Sequence, residues 1–144
     1  MSQSDVKTPV WFWIVAALAV AWNLVGVMSY IGQVTLSAEA LAAMSEAEQA
    51  LFKNTPAWAT GAFAIAVFAG VLASLCLVLK KAWAGPLFIL SLVAIIIQFT
   101  YWLFFSGATA VYGGQTYIMP GLVTAIAIIL LWFSQMTKNK GLLR

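Results

Sequence analysis

Charge is what this sequence has least of. Its 144 residues include four acidic and seven basic side chains, 8% in all, and no histidine. A soluble domain covers its surface with about 25% charged residues, so water is excluded as the solvent for most of this chain. Without histidine, Ser–His–Asp and Cys–His nucleophiles cannot be assembled. A metal centre needs clustered His, Cys or carboxylate ligands, and the sequence has no such cluster, so neither metal nor cofactor is expected. The single cysteine, Cys76, excludes an intrachain disulfide and any CxxC pattern. It lies in an apolar run and is read as a small packing residue. The expectation is a protein that is not an enzyme.

What is abundant is hydrocarbon. The hydrophobic set makes up 64% of the residues and the mean hydropathy is +1.00. Four apolar runs stand out, at about 9–33, 56–80, 84–106 and 118–136, each close to the roughly 20 residues that cross a bilayer as a helix. Apart from Lys80 at the edge of the second, none contains Asp, Glu, Lys, Arg or His. A proton relay would place such groups inside the spans. Thr8 is a candidate N-cap, with Pro9 at the first helical position. The A-x-A strings Ala17–Ala19 and Ala19–Ala21 resemble signal cleavage sites, but the apolar stretch continues to Ile31 and the preceding segment offers only Lys7 against Asp5. The first run is therefore read as a retained span. The predicted fold is an all-α membrane protein, a single domain over residues 1–144 built as a four-transmembrane-helix bundle.

Basic residues set the orientation. Four crossings put Lys7, the Lys80–Lys81 pair and Lys138, Lys140 and Arg144 on one side. The positive-inside rule makes that side cytoplasmic, with both termini there. These residues follow apolar runs rather than forming a stripe, so no nucleic-acid partner is expected. Trp11, Phe12, Trp13 and Trp83 are then expected at the cytoplasmic interface, and Tyr30, Trp58, Tyr101, Trp102, Tyr112 and Tyr117 towards the outer one. The outer loop, 34–55, carries the capping box Ser45-Glu46-Ala47-Glu48, and Ser37 can cap a preceding turn. With Leu41, Met44 and Leu51 at near-helical spacing, one or two short amphipathic helices are predicted on the outer mouth of the bundle.

Within the spans a few polar residues carry the interest. Asn23 lies 14 residues after Pro9 and Gln98 lies 12 after Pro86, so both sit roughly 18–21 Å along outward-running helices. Asn23 shares a helix face with Tyr30, and Gln98 shares one with Ser91 and Tyr101. An amide in hydrocarbon needs partners. These faces are either interhelical glue, worth about 1 kcal/mol per contact, or the lining of a site for a neutral solute or lipid headgroup. In the second span Ala62, Ala66, Gly70 and Ser74 recur every four residues, a small-xxx-small face for close helix approach, either within the chain or between copies. Pro56-Ala57-Trp58-Ala59-Thr60 and Pro120-Gly121-Leu122-Val123-Thr124 echo one another, as in two copies of one hairpin in the same orientation.

The strings Thr8-Pro9-Val10-Trp11-Phe12-Trp13 and Trp22-Asn23-Leu24-Val25-Gly26, continuing through Thr55-Pro56-Ala57-Trp58 and Val111-Tyr112-Gly113, resemble a group of small bacterial four-span inner-membrane proteins. Some of these carry a "sugar transporter" label. The resemblance implies a bacterial inner membrane and assigns no binding residues. The first functional expectation is a non-enzymatic accessory or self-associating helix-packing module, with the lipid bilayer and a second copy or larger membrane protein as partners. The alternative is an oligomeric facilitator of a neutral, sugar-like solute, with Asn23 and Gln98 lining its path.

Overall fold

The computed structural model describes residues 7–144, so Asp5 lies outside the described residues. Every regular element within them is helical: α1 (Val10–Val34), α2 (Ala38–Ala42), α3 (Glu46–Lys53), α4 (Ala57–Val78), α5 (Ala84–Thr100), α6 (Ala108–Tyr112) and α7 (Ile118–Asn139). A π-helical turn, Tyr101–Phe105, extends α5, and a 3₁₀ turn, Gly113–Tyr117, leads into α7. Four of the helices are long and apolar enough to cross a membrane. The chain is an all-α, multi-pass membrane protein.

The order of packing follows from which helix is smoothest. α1 packs on α4, α4 on α5, and α5 on α7. Alanine, glycine and serine let backbones approach closely where hydrocarbon supplies no hydrophobic drive for association. On α4, Ala62, Ala66, Gly70 and Ser74 are all buried, as are Ala59, Ala69 and Ala73. In its most apolar window 44% of residues are covered, against 17–22% for the other three spans, which makes α4 the central helix. Gly26 completes the close approach from α1: a Cβ there would lie 3.1 Å from Val67 Cγ1.

One end of the bundle is tied shut. Phe12, Ala16, Leu77, Phe88, Leu130 and Phe133 form its core, and Leu142 and Leu143 fold back into it. Phe12 is fully buried and stacked on Phe133 with ring centroids 5.9 Å apart, so it is a core residue and not the interfacial anchor expected from sequence. Trp11, Trp13 and Trp83 keep exposed rings at this end. Both α4 and α7 finish in Schellman turns: Lys81 N–H donates to Cys76 O at 2.7 Å, and Leu142 N–H to Thr137 O at 2.9 Å. The left-handed position is Gly141 in α7 but Lys80 in α4, at φ 59°. A lysine tolerates that conformation here because it is anchored twice. Its ammonium donates to Thr8 Oγ1 at 2.7 Å, and its carbonyl accepts from Arg144 N–H at 2.8 Å. Thr8 therefore does not cap α1, whose N-cap is Pro9. These bonds place the start of α1, the α4–α5 turn and the end of the chain at one end, as the alternation of charge predicts.

At the other end the loop folds into α2 and α3. Ser37 Oγ accepts from Ala40 N–H at 3.1 Å, and Ser45 Oγ from Glu48 N–H at 3.2 Å. Leu51 of α3 is buried, and Tyr101 Oη donates to Asn54 O at 3.4 Å. The proline echo is out of register in three dimensions. Pro56 is the N-cap of α4, whereas Pro120 is the third residue of α7.

Candidate functional site

α1 and α7 touch through Trp11, Phe12 and Phe133 at the basic end, and α1–α4–α5–α7 otherwise forms an arc. Inside the arc is a chamber of about 220 Å³ walled by all four spans. Phe88 and Leu130 line its deep end and Phe99 and Met119 the end nearer the loops. Each pair is eleven residue steps apart on its helix, so the chamber extends about 16 Å along the bundle. Val25 of α1 and Met119 of α7 also line it while remaining more than half exposed, at 56% and 55%. The gap between α1 and α7 is therefore a lateral opening towards the bilayer.

The polar groups of this wall come from α1 and α5. Asn23 Nδ2 donates to Ala19 O at 2.8 Å and to Ser74 Oγ at 3.0 Å, and Ser74 Oγ donates in turn to Gly70 O at 2.8 Å. The Asn23 side chain rests on Gly70, where a Cβ would lie 2.9 Å from Asn23 Cγ and closer still to Oδ1. On the other flank of α4, Ser91 Oγ donates to Ala66 O at 2.7 Å. The small-residue stripe is thus covered inside the chain by Asn23 and Ser91. A polar side chain bonded to a neighbouring backbone in this way works as interhelical glue.

Gln98 is different. It lines the chamber at the loop end, is half-buried, and its carboxamide has no hydrogen-bond partner among the described residues. The side-chain carbonyl oxygen of Asn23 likewise accepts no bond from the described residues. Asn23, Gln98 and Ser91, singled out from sequence, therefore line one cavity. Tyr30 and Tyr101 do not line it. Tyr30 packs edge-on against Phe63 and Phe68, and Tyr101 against Trp58 beneath the outer loop. Sequence reasoning missed Ser29 and the apolar walls formed by Phe63, Phe99 and the Val123–Ala127 face of α7. An apolar residue facing a cavity carries the same signal as one facing lipid, so those walls had no signature to find.

Only four of the eighteen lining side chains are Asn, Gln or Ser; the rest are apolar, aromatic or glycine. Carboxamides and hydroxyls both donate and accept without ionising at neutral pH. Such a wall can hold an uncharged molecule whose body is mainly apolar and which offers one or two hydrogen-bonding groups. No protein-family profile matches the chain, and no curated protein or solved structure is significantly similar to it.

Proposed function

We propose that the protein is a non-enzymatic, membrane-embedded binding module whose ligand places a small uncharged moiety in the chamber between its four spans. One observation carries the proposal: Gln98 lines a cavity between the four spans, and its carboxamide has no hydrogen-bond partner among the described residues. A carboxamide set in a mainly apolar lining is stabilised by a hydrogen-bonding group brought within its reach, and a bound polar group would supply one. Binding rather than catalysis fits groups that hydrogen-bond but do not exchange protons near neutral pH. A hydroxyl-rich sugar is a poorer occupant than a molecule with an apolar body, because the aromatic and aliphatic walls would strip water from most of its hydroxyls without replacement. The self-association reading relied on the stripe Ala62, Ala66, Gly70 and Ser74. Its coverage by α1 and α5 favours the binding reading.

The end carrying Lys7, Lys80, Lys81 and the last basic residues is assigned to the cytoplasm by the positive-inside rule. The resemblance to small bacterial proteins supports an inner membrane. Cysteines introduced by Lys7→Cys and Lys140→Cys, in a Cys76→Ser background, should both be shielded from an impermeant maleimide in intact cells.

The binding test is Gln98→Leu. Leucine is close in volume and the change breaks no hydrogen bond among the described residues, so fold and thermal stability should be preserved. Native mass spectrometry from a mild detergent, with a panel of neutral amphipathic compounds, should show saturable binding to the wild type and its loss in the variant. Equal occupancy in both proteins, or no saturable binding of any compound, would overturn the proposal.

A further inference from the structure

The chamber is not isolated. A neck of about 70 Å³ lies under α3 and shares Phe63 and Gln98 with the chamber. A wider mouth of about 330 Å³, at the loop end, shares Gln33, Phe52 and Thr55 with the neck. Mouth, neck and chamber therefore adjoin one another in order from the loop surface into the bundle.

Polarity falls steadily along this series. The mouth holds Lys53, the only charged side chain among the described residues of the three linings, together with Gln33 and Thr60. The neck is flanked by two carboxamides, Gln33 and Gln98, neither of which has a hydrogen-bond partner among the described residues. Its volume is that of about two water molecules at roughly 30 Å³ each. The chamber beyond is long, narrow and mainly apolar.

We infer that the three hollows form one site for a single-chain amphiphile, with its headgroup at the mouth, its polar linkage at the neck and its chain in the chamber. The inference rests on the binding role proposed for the chamber and specifies the ligand class. Three alternatives fit the gradient less well. An ion would meet no counter-charge beyond Lys53, and burying charge unpaired is costly. A compact polar solute would leave the deep apolar end unfilled. A partner helix, about 10 Å across, cannot occupy a 70 Å³ neck. The gap between α1 and α7 lets a chain enter sideways from the bilayer while its headgroup stays at the loop level.

Trp22 lines the chamber and reports on its contents. The full chain, in nanodiscs of unbrominated lipid, is titrated with a monoacyl phospholipid brominated on its chain and, separately, with brominated pentanol, which is short enough to occupy the chamber alone. Quenching of Trp22 is taken as the difference between wild type and Trp22→Phe. Saturable quenching by both probes is expected, and Ala127→Phe, which fills the chamber, should remove both. Gln33→Leu, and independently the exposed Lys53→Ala, should weaken the phospholipid about tenfold and leave pentanol unchanged. If pentanol binds but the phospholipid does not, or binds equally in wild type, Gln33→Leu and Lys53→Ala, the amphiphile inference fails and the chamber reading stands. If neither probe quenches saturably, or Ala127→Phe leaves quenching unchanged, both fail.

Discussion

Gly70 is the position at which one added methyl group should do the most damage. A Cβ there enters the space of the Asn23 carboxamide, with Cγ at 2.9 Å and Oδ1 nearer, and lies 3.4 Å from Ser91 Oγ. Asn23 cannot yield freely, because its Nδ2 is tied to Ala19 O and Ser74 Oγ. Gly70→Ala should therefore cost about 1–3 kcal/mol in overpacking, plus about 0.6–1.7 kcal/mol for the interhelical bond to Ser74. Against this stands a gain of about 1 kcal/mol in helix propensity. The net expectation is a loss of about 1–3 kcal/mol. Gly61→Ala provides the control on the same helix: nothing lies within 4 Å of its Cβ position, so only the propensity gain remains. The assay is reversible unfolding in mixed micelles of rising SDS fraction, followed by circular dichroism. A double-mutant cycle with Asn23→Ala completes it, since removing the obstructing amide should cancel much of the Gly70→Ala penalty. If Gly70→Ala proves as stable as wild type, or Asn23→Ala does not relieve it, the seating of Asn23 on α4 is wrong.

Two further outcomes follow from the ends of the bundle. Lys80→Ala keeps the left-handed backbone but loses the bond to Thr8, and should destabilise the protein by about 0.5–1.5 kcal/mol in the same assay. Lys80→Gly relieves about 1 kcal/mol of backbone strain and should come out close to wild type. Ser45→Ala removes the cap of α3 and should cost about 1 kcal/mol; hydrogen exchange should locate the loosening in residues 45–54, with the exchange of α1 and α4 unchanged.

Several features were legible before any coordinates because each depends on local chemistry. Four uncharged runs of bilayer length can satisfy their backbone amides in hydrocarbon only as helices or closed barrels, and single runs of this length point to helices. Ser37 and Ser45 announce helix starts because a hydroxyl two or three residues ahead of an unpaired N–H is enough to cap it. The burial of Ala62, Ala66, Gly70 and Ser74 was legible too, since a row of missing side chains marks where backbones meet. Other readings failed for physical reasons. Phe12 sits between Trp11 and Trp13 and looks like part of an aromatic belt, yet helical spacing turns it inward onto Phe133. Thr8 is spaced to cap α1, but the ammonium of Lys80, seventy-two residues away in sequence, claims its hydroxyl.

Sequence alone determined the solvent, the number of apolar spans, the common side of every basic residue but Lys53 and the identity of the polar groups inside the spans, because each is a property of one segment and its composition. Tertiary structure alone decided that α1 and α7 meet at the basic end and leave a chamber between the spans beyond it, while α4 is the most covered helix. It also decided that Asn23 donates to Ser74 and Ser91 to Ala66, both on α4, whereas the Gln98 amide has no partner among the described residues. In hydrocarbon an apolar side chain gains nothing by choosing protein over lipid. Where the helices leave a space is therefore settled by the fit of one surface against another, which no single segment contains.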